Sequence, residues 1–395
     1  MNNIISRRQQ IWTTSLINTP SAHILARGAP QRAIKEEMGR AGRNVLLAYG
    51  GGSLKRTGLY DRLRGWLHEC GKHVVDFGGI RPNPTYAKVQ EGARLVREQG
   101  IDFILAVGGG SVIDCCKIVS AQARTDEDIW DMMYEAHRLP TGFVPTGAVV
   151  TASGTGAGQN NGAVITHTAK RLKQPLVGAY HSFSILDRDL TKTLPMKQVA
   201  SGAFDTLSHC METYMGRPQG DNLSDEINEA VMRSVIKNLR ALIANPDDDF
   251  TRGELMWDSA LAENGLPELG KQTDFQCHML EHAVGAYTDC NHGQGLAVIH
   301  PALYRHLLAE GKEKLARMAE RVWGVKGDTV EQTATLGINA IEAFIREIGM
   351  PTRWSEMGIT DEAVLRAAAD TCLLMPGCCK QFTKDELFEV LKESM

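Results

Sequence analysis

Short β-branched apolar runs alternate with amphipathic stretches through the first half of the chain, the rhythm of strands and helices in a parallel sheet. Asn44–Tyr49 (NVLLAY) predicts a strand running into Gly50-Gly51-Gly52-Ser53. His73–Phe77 predicts a second strand, and Tyr86–Gln99 a helix that ends at Gly100. Ile101–Val107 (IDFILAV) predicts a third strand, closed by Gly108-Gly109-Gly110-Ser111, with a helix from Val112 to about Ala123. Gly147–Thr151 and Gly162–Thr166 read as strands around the glycine-rich SGTGAGQNNG, and Ser184–Asp187 as the last strand of this half.

After Pro195 the period changes from two to 3.6. Met196–Tyr214 and Asp221–Ala244 read as long helices. Thr251 with Glu254 reads as a capping box for the next, stopped by Gly265; Asp328 with Glu331 and Thr383 with Glu386 open two more. The pattern predicts an α/β domain with a parallel sheet over residues 1–190 and an all-helical domain over 191–395.

A chain of 395 residues suits two such domains. The net charge of −4, without a run of five like charges, argues against a nucleic-acid surface. The chain contains no window of 18 apolar residues, which argues against a membrane span. Arg7-Arg8 is followed by no apolar stretch, which argues against a secretory signal. Nine scattered cysteines without a C-x-x-C read as reduced thiols in a cytoplasmic protein.

Two glycine runs follow predicted strands. Gly108–Ser111 lies between strand and helix, where free backbone N–H groups and the helix dipole suit a phosphate. Glycines let a pyrophosphate approach the backbone; the bland alternative is a tight turn. Ser111 with Asp114 resembles a helix start. At Gly51, Gly52 and Ser53 no acidic residue is present to hold a ribose 2′-hydroxyl, and Lys55 and Arg56 follow. That combination favours NADP(H) over NAD(H), against the alternative of a flexible turn with solvated cations.

In the helical half, Asp205 and His209 are four apart on one helical face, with Glu212 near it. His278, His282 and His292 follow as H-x3-H-x9-H. One carboxylate and several imidazoles suit a borderline divalent ion such as Fe²⁺ or Zn²⁺.

The segments GGGSVIDCCK, TASGTGAGQNNGAVIT, DTLSH and HMLEHAVGAYTDCNHGQG together resemble the iron-dependent (group III) alcohol dehydrogenases, in order and spacing. RPNPTYAKV resembles a loop of the same family, and the first glycine run resembles its butanol dehydrogenase and broad aldehyde reductase branch. The resemblance implies a fold similar to dehydroquinate synthase, a homodimer, and hydride transfer between NADP(H) and a short alcohol or aldehyde. It implies Asp205, His209, His278 and His292 as metal ligands, with His282 near the nicotinamide as a proton relay or a hydrogen-bonding neighbour. It places Gly108, Gly109, Gly110, Ser111 and Asp114 at the phosphates; Thr151, Thr155 and Asn160 by the phosphates and nicotinamide ribose; and Lys173 by that ribose. Ala157-Gly158 replaces the family's Ser-Glu, and Leu25-Ala26-Arg27-Gly28 its Phe-Gly-x-Gly. The alternatives are a metal- and nicotinamide-dependent lyase of similar fold and an inactive nucleotide- or metal-binding homologue.

Overall fold

The structure is a computed structural model that describes residues 14–18, 22–26 and 30–395; Arg7-Arg8, Arg27 and Gly28 lie outside them. The described residues divide into two compact units, those up to 168 with 174–194, and 169–173 with 195–395.

The first unit is built on a seven-stranded sheet in the order β1-β2-β9-β6-β5-β3-β4. Its strands are β1 (Thr14–Asn18), β2 (Ala22–Ala26), β3 (Asn44–Tyr49), β4 (His73–Phe77), β5 (Phe103–Gly108), β6 (Thr146–Val150) and β9 (Phe183–Leu186). Within this sheet, among the described residues, only β1 and β2 pair antiparallel and the other pairs are parallel. β7 (Gly162–His167) and β8 (Leu172–Val177) form a separate two-stranded sheet. Every residue of β5 and β6 is buried, as expected of central parallel strands covered on both faces.

Register places the loops that matter. Tyr49 pairs with Val107, and Gly108 with Val150. The Gly50–Ser53, Gly109–Ser111 and Thr151–Thr155 segments therefore leave the carboxyl ends of three adjacent parallel strands, where open α/β sheets bind ligands.

The second unit is helical, with Met196–Tyr214, Leu223–Ala244, Asp249–Ala262, Gln276–Thr288, His292–Met318, Val330–Glu347, Glu362–Thr371 and Lys384–Glu393 as its helices. They share one apolar core that includes Phe204, Leu207, Leu280, Leu296, Ile299 and Trp354. No helix among the described residues is long and apolar enough to cross a membrane.

Several helix starts differ from the sequence reading. Asp248, not Thr251, caps the Asp249–Ala262 helix and accepts from the Phe250 and Thr251 amides. An aspartate one turn ahead outcompetes the threonine because its charge also suits the helix dipole. Thr329, not Asp328, caps the Val330–Glu347 helix. Ser111 lies inside the Gly110–Gln122 helix, which starts from extended Gly109 and has no side-chain cap. The Thr383–Glu386 capping box forms as read. The β1–β2 hairpin and β8 lie outside the predicted elements; β8 (LKQPLV) carries a proline and little apolar alternation.

Candidate metal centre and cofactor loop

Asp205, His209 and Glu212 lie along the buried stretch of the Met196–Tyr214 helix. His278, Glu281 and His282 come from the buried Gln276–Thr288 helix. Asp289, at φ 53°, turns the chain after that helix. Asn291 caps the next helix, so His292 becomes its first residue. The Asn291 side chain also accepts from Ser201 Oγ at 2.6 Å. A Cβ on Gly293 would lie 2.2 Å from the Ser201 carbonyl oxygen. Only glycine there lets the helix start pack so closely against the Asp205 helix.

The sequence-predicted ligands converge on Asp205. Its Oδ1 lies 3.3 Å from His292 Nε2, 3.6 Å from His278 Nε2 and 3.7 Å from His209 Nδ1. Donor atoms of Asp205, His278 and His292 all lie within 4.8 Å of one another. His209 stands outside that tight trio, its ring 4.4 Å from the His278 ring. Ligands held at about 2.0–2.2 Å from one tetrahedral ion lie roughly 3.3–3.6 Å apart, which matches these separations. Asp205 Oδ1, His209 Nδ1 and His278 Nε2 are buried and have no hydrogen-bond partner. Buried polar atoms seldom go unsatisfied, and lone pairs aimed at one another suit a cation between them. The donor set fits a divalent metal.

Carboxylates orient two of the imidazoles. Glu212 Oε2 shares a hydrogen bond with His278 Nδ1, and Glu212 Oε1 accepts from the Cys277 amide at 2.7 Å. Glu281 Oε2 shares one with His292 Nδ1 and accepts from Lys173 Nζ at 3.0 Å. Occupying Nδ1 in each ring leaves Nε2 for an ion. Burial pushes the Glu281 carboxyl up, but the charges of His292 and Lys173 outweigh it and hold the carboxyl below its usual range. Burial raises Glu212 above its usual range despite His278. Burial also drives His209 down to about 3, which keeps its imidazole neutral and able to ligate.

Glu281 and Glu263 escaped the sequence reading. Glu263 Oε1 lies 3.7 Å from His209 Nε2. A carboxylate three residues after a candidate ligand, inside an otherwise apolar helix, was the available signal for Glu281. Lys173 lies buried against Glu281, at 3.0 Å from its Oε2. His282 lies one turn beyond His278, its ring stacked at 5.4 Å on His292 and its buried Nδ1 without a hydrogen-bond partner. Burial and then Lys173 hold its pKa well below the usual value. A further set, Glu212 with Cys277 and His300, is already hydrogen-bonded: His300 meets Ser208 Oγ at 2.7 Å and Cys277 Sγ at 3.4 Å.

The glycine loop of the first unit is shaped by close approaches. A Cβ on Gly110 would lie 2.4 Å from Thr155 Oγ1, and one on Gly109 3.1 Å from the Ala152 Cβ. The Thr151 amide donates to the Gly108 carbonyl at 2.9 Å. These contacts seat residues 151–155 against the uncapped helix start. Asp114 turns inward and accepts from the Val164 amide at 3.0 Å. Asn160 Oδ1 accepts from the fully buried Lys117 at 2.9 Å, so its oxygen braces the loop. At Ala157-Gly158, a Cβ on Gly158 would lie 3.0 Å from Ser184 Oγ, which donates to the Gly158 carbonyl at 2.6 Å. Thr155 Oγ1 accepts from the Ala157 amide at 3.2 Å. Ser53 opens a short helix behind Gly52, where Arg56 Nη1 would lie 2.9 Å from a Cβ.

Comparison with known proteins agrees with this layout. The model of iron-containing alcohol dehydrogenase matches residues 20–188, and that of the C-terminal region of the Fe-containing alcohol dehydrogenase family matches 199–395. The chain is 37% identical to probable NADH-dependent butanol dehydrogenase 1 of Bacillus subtilis, across 95% of this chain and 98% of that protein. It is 34% identical to the NADPH-dependent aldehyde reductase YqhD of Escherichia coli, across 88% and 90%. The crystal structure of NADH-dependent butanol dehydrogenase A from Thermotoga maritima superposes with a TM-score of 0.88 at 30% identity, covering 96% of this chain and 98% of that one. With a metal-ready Asp-His cluster on its helices and a glycine loop at the end of its sheet, the chain belongs to the iron-containing alcohol dehydrogenase family and is an alcohol and aldehyde oxidoreductase.

Proposed function

We propose that this enzyme transfers hydride reversibly between NADP(H) and a short, uncharged alcohol or aldehyde, with Asp205, His209, His278 and His292 holding one divalent metal, Fe²⁺ or Zn²⁺. The observation that carries the reading is the convergence of buried, unpartnered ligand atoms on Asp205 Oδ1. A metal held there supplies Lewis acidity toward the alcohol or carbonyl oxygen. The nicotinamide supplies the hydride chemistry. Glu212 and Glu281 fix the tautomers of His278 and His292, and Asp205 brings negative charge to the ion. His282, neutral and with an unpartnered Nδ1, is the candidate to take or return the hydroxyl proton. The butanol dehydrogenase and aldehyde reductase relatives support small uncharged substrates. The nine free cysteines support a reducing, cytoplasmic setting.

The preference for NADP(H) rests on the first glycine run. Gly50–Ser53 carries no carboxylate, and among the described residues neither Lys55 nor Arg56 has an acidic partner within ion-pair distance. Both cations are therefore available to a 2′-phosphate. Steady-state assays of metal-replete protein with a series of short aldehydes test the reaction; bound cofactor without turnover would refute it. The preference is tested by kcat/KM for NADPH against NADH in wild type and Ser53→Asp. The substitution should move preference toward NADH by about tenfold or more, since a carboxylate repels the phosphate and suits the free ribose. A wild type that already prefers NADH would refute the NADP(H) assignment alone.

A further inference from the structure

We propose that Lys173 and Glu281 act as a buried positioning pair for the metal ligand His292, so that Lys173 serves the metal centre. The inference rests on the metal-centre reading above.

His292 is the ligand that most needs an external anchor. It is the first residue of its helix, and its side chain is 24% exposed, against 5% for His278 and 10% for His209. The other two rings lie within their helices, and His278 is held in addition by Glu212 at Nδ1. For His292 the hold comes from Glu281, whose Oε2 takes the Nδ1 side of the ring while Nε2 faces Asp205 at 3.3 Å.

That same Glu281 oxygen accepts from Lys173 Nζ at 3.0 Å, and both side chains are almost fully enclosed, at 5% and 0% exposure. A buried carboxylate needs a compensating charge, and removing one member leaves the other uncompensated. The space around the pair is specific. A Cβ on Gly295 would lie 2.8 Å from Glu281 Cγ. A Cβ on Gly285 would lie 3.2 Å from Lys173 Nζ and 3.3 Å from Glu281 Oε1. Glycines on two different helices thus leave the volume that the pair fills. Glu212 needs no such cation because its second oxygen is taken by the Cys277 amide. The short segment 169–173 joins the helical unit, and Lys173 is its buried end.

The test uses full-length enzyme with Co²⁺ as the probe, because its visible bands report ligand geometry. Wild type, Lys173→Met, Glu281→Gln and the double variant are compared for Co²⁺ affinity by chelator competition, for visible spectrum and for the Kd of NADPH and NADH. Circular dichroism checks folding, and the charge-neutral double variant serves if a single variant fails to fold. Each single variant should bind Co²⁺ about 10–100-fold more weakly, with shifted bands and unchanged cofactor Kd. The double variant should lose less than the two single losses combined, since it strands no buried charge. Lys173→Met with wild-type Co²⁺ affinity and spectrum but weakened cofactor binding would overturn the proposal and return Lys173 to the ribose, leaving the metal centre intact. Wild type that takes up no stoichiometric Co²⁺ would overturn both readings together.

Discussion

The glycine loop and the proposed metal centre are shaped by opposite means. The loop is built from backbone, with Gly109 and Gly110 shaped by what a Cβ would strike in Ala152 and Thr155. The metal centre is built from side chains, with each ligand set by a helix and two of them by a buried carboxylate. Backbone sites tolerate changes of side-chain chemistry but not of volume, whereas the metal centre tolerates neither. The two should therefore fail differently when altered.

The strongest challenge to that contrast is His278→Ala. It should lose the metal and lower kcat/KM more than about 100-fold, since substitutions of mere supporting partners already cost 10–100-fold. Metal analysis, steady-state kinetics and NADPH titration check it. The glycine loop contributes no ligand to the trio, so NADPH binding should persist. Its loss would break the separation.

Gly110→Ala is the converse and should have a smaller effect. Its Cβ would meet Thr155 Oγ1 at 2.4 Å, so the loop must shift. Overpacking of this kind costs about 1–3 kcal/mol; near the lower end of that range, at about 1.4 kcal/mol, cofactor Kd rises roughly tenfold. Bound metal should remain stoichiometric, as measured on the same preparation; a fall in metal content would show that the sites are not built independently.

The smallest expected effect concerns a buried carboxylate with no metal to serve. Burial pushes Asp258 from 3.8 up to about 7, although Asn238 Nδ2 donates to it at 3.1 Å. A raised folded pKa contributes stability that is complete below the unfolded value and lost as pH rises through the folded one. Stability should therefore fall between about pH 4 and pH 7. Asp258→Asn should raise Tm by a few degrees above pH 7 and converge with wild type at acid pH. A thermal-melt series against pH measures it, and equal melting curves at pH 8 would remove Asp258 from the account. Asp205, by contrast, is held below its usual range by neighbouring imidazoles despite its burial.

Much of this was legible in the chain. Long periodic segments such as Met196–Tyr214 and apolar runs such as Asn44–Tyr49 fall where the pattern predicts them. The Asp205–His209 spacing and the His278–His292 order suffice to nominate a metal site, because helical periodicity is local. Helix starts were less secure: Asp248 and Thr329 displaced neighbouring candidates, since capping depends on which side chain reaches the free amides. The β1–β2 hairpin and β8 are short and weakly patterned, and only their pairing defines them.

The sequence by itself determined the two rhythms, the glycine runs and the residue types of the ligand set, all of which depend on neighbours a few positions apart. Only the tertiary structure decided that Lys173 meets Glu281, 108 positions away. It likewise decided that Glu212 and Glu281 stand behind His278 and His292, and that Asn160 braces the glycine loop through Lys117. The reason is physical. A buried charge must find its compensation wherever the packed chain brings one, and no local periodicity encodes that meeting.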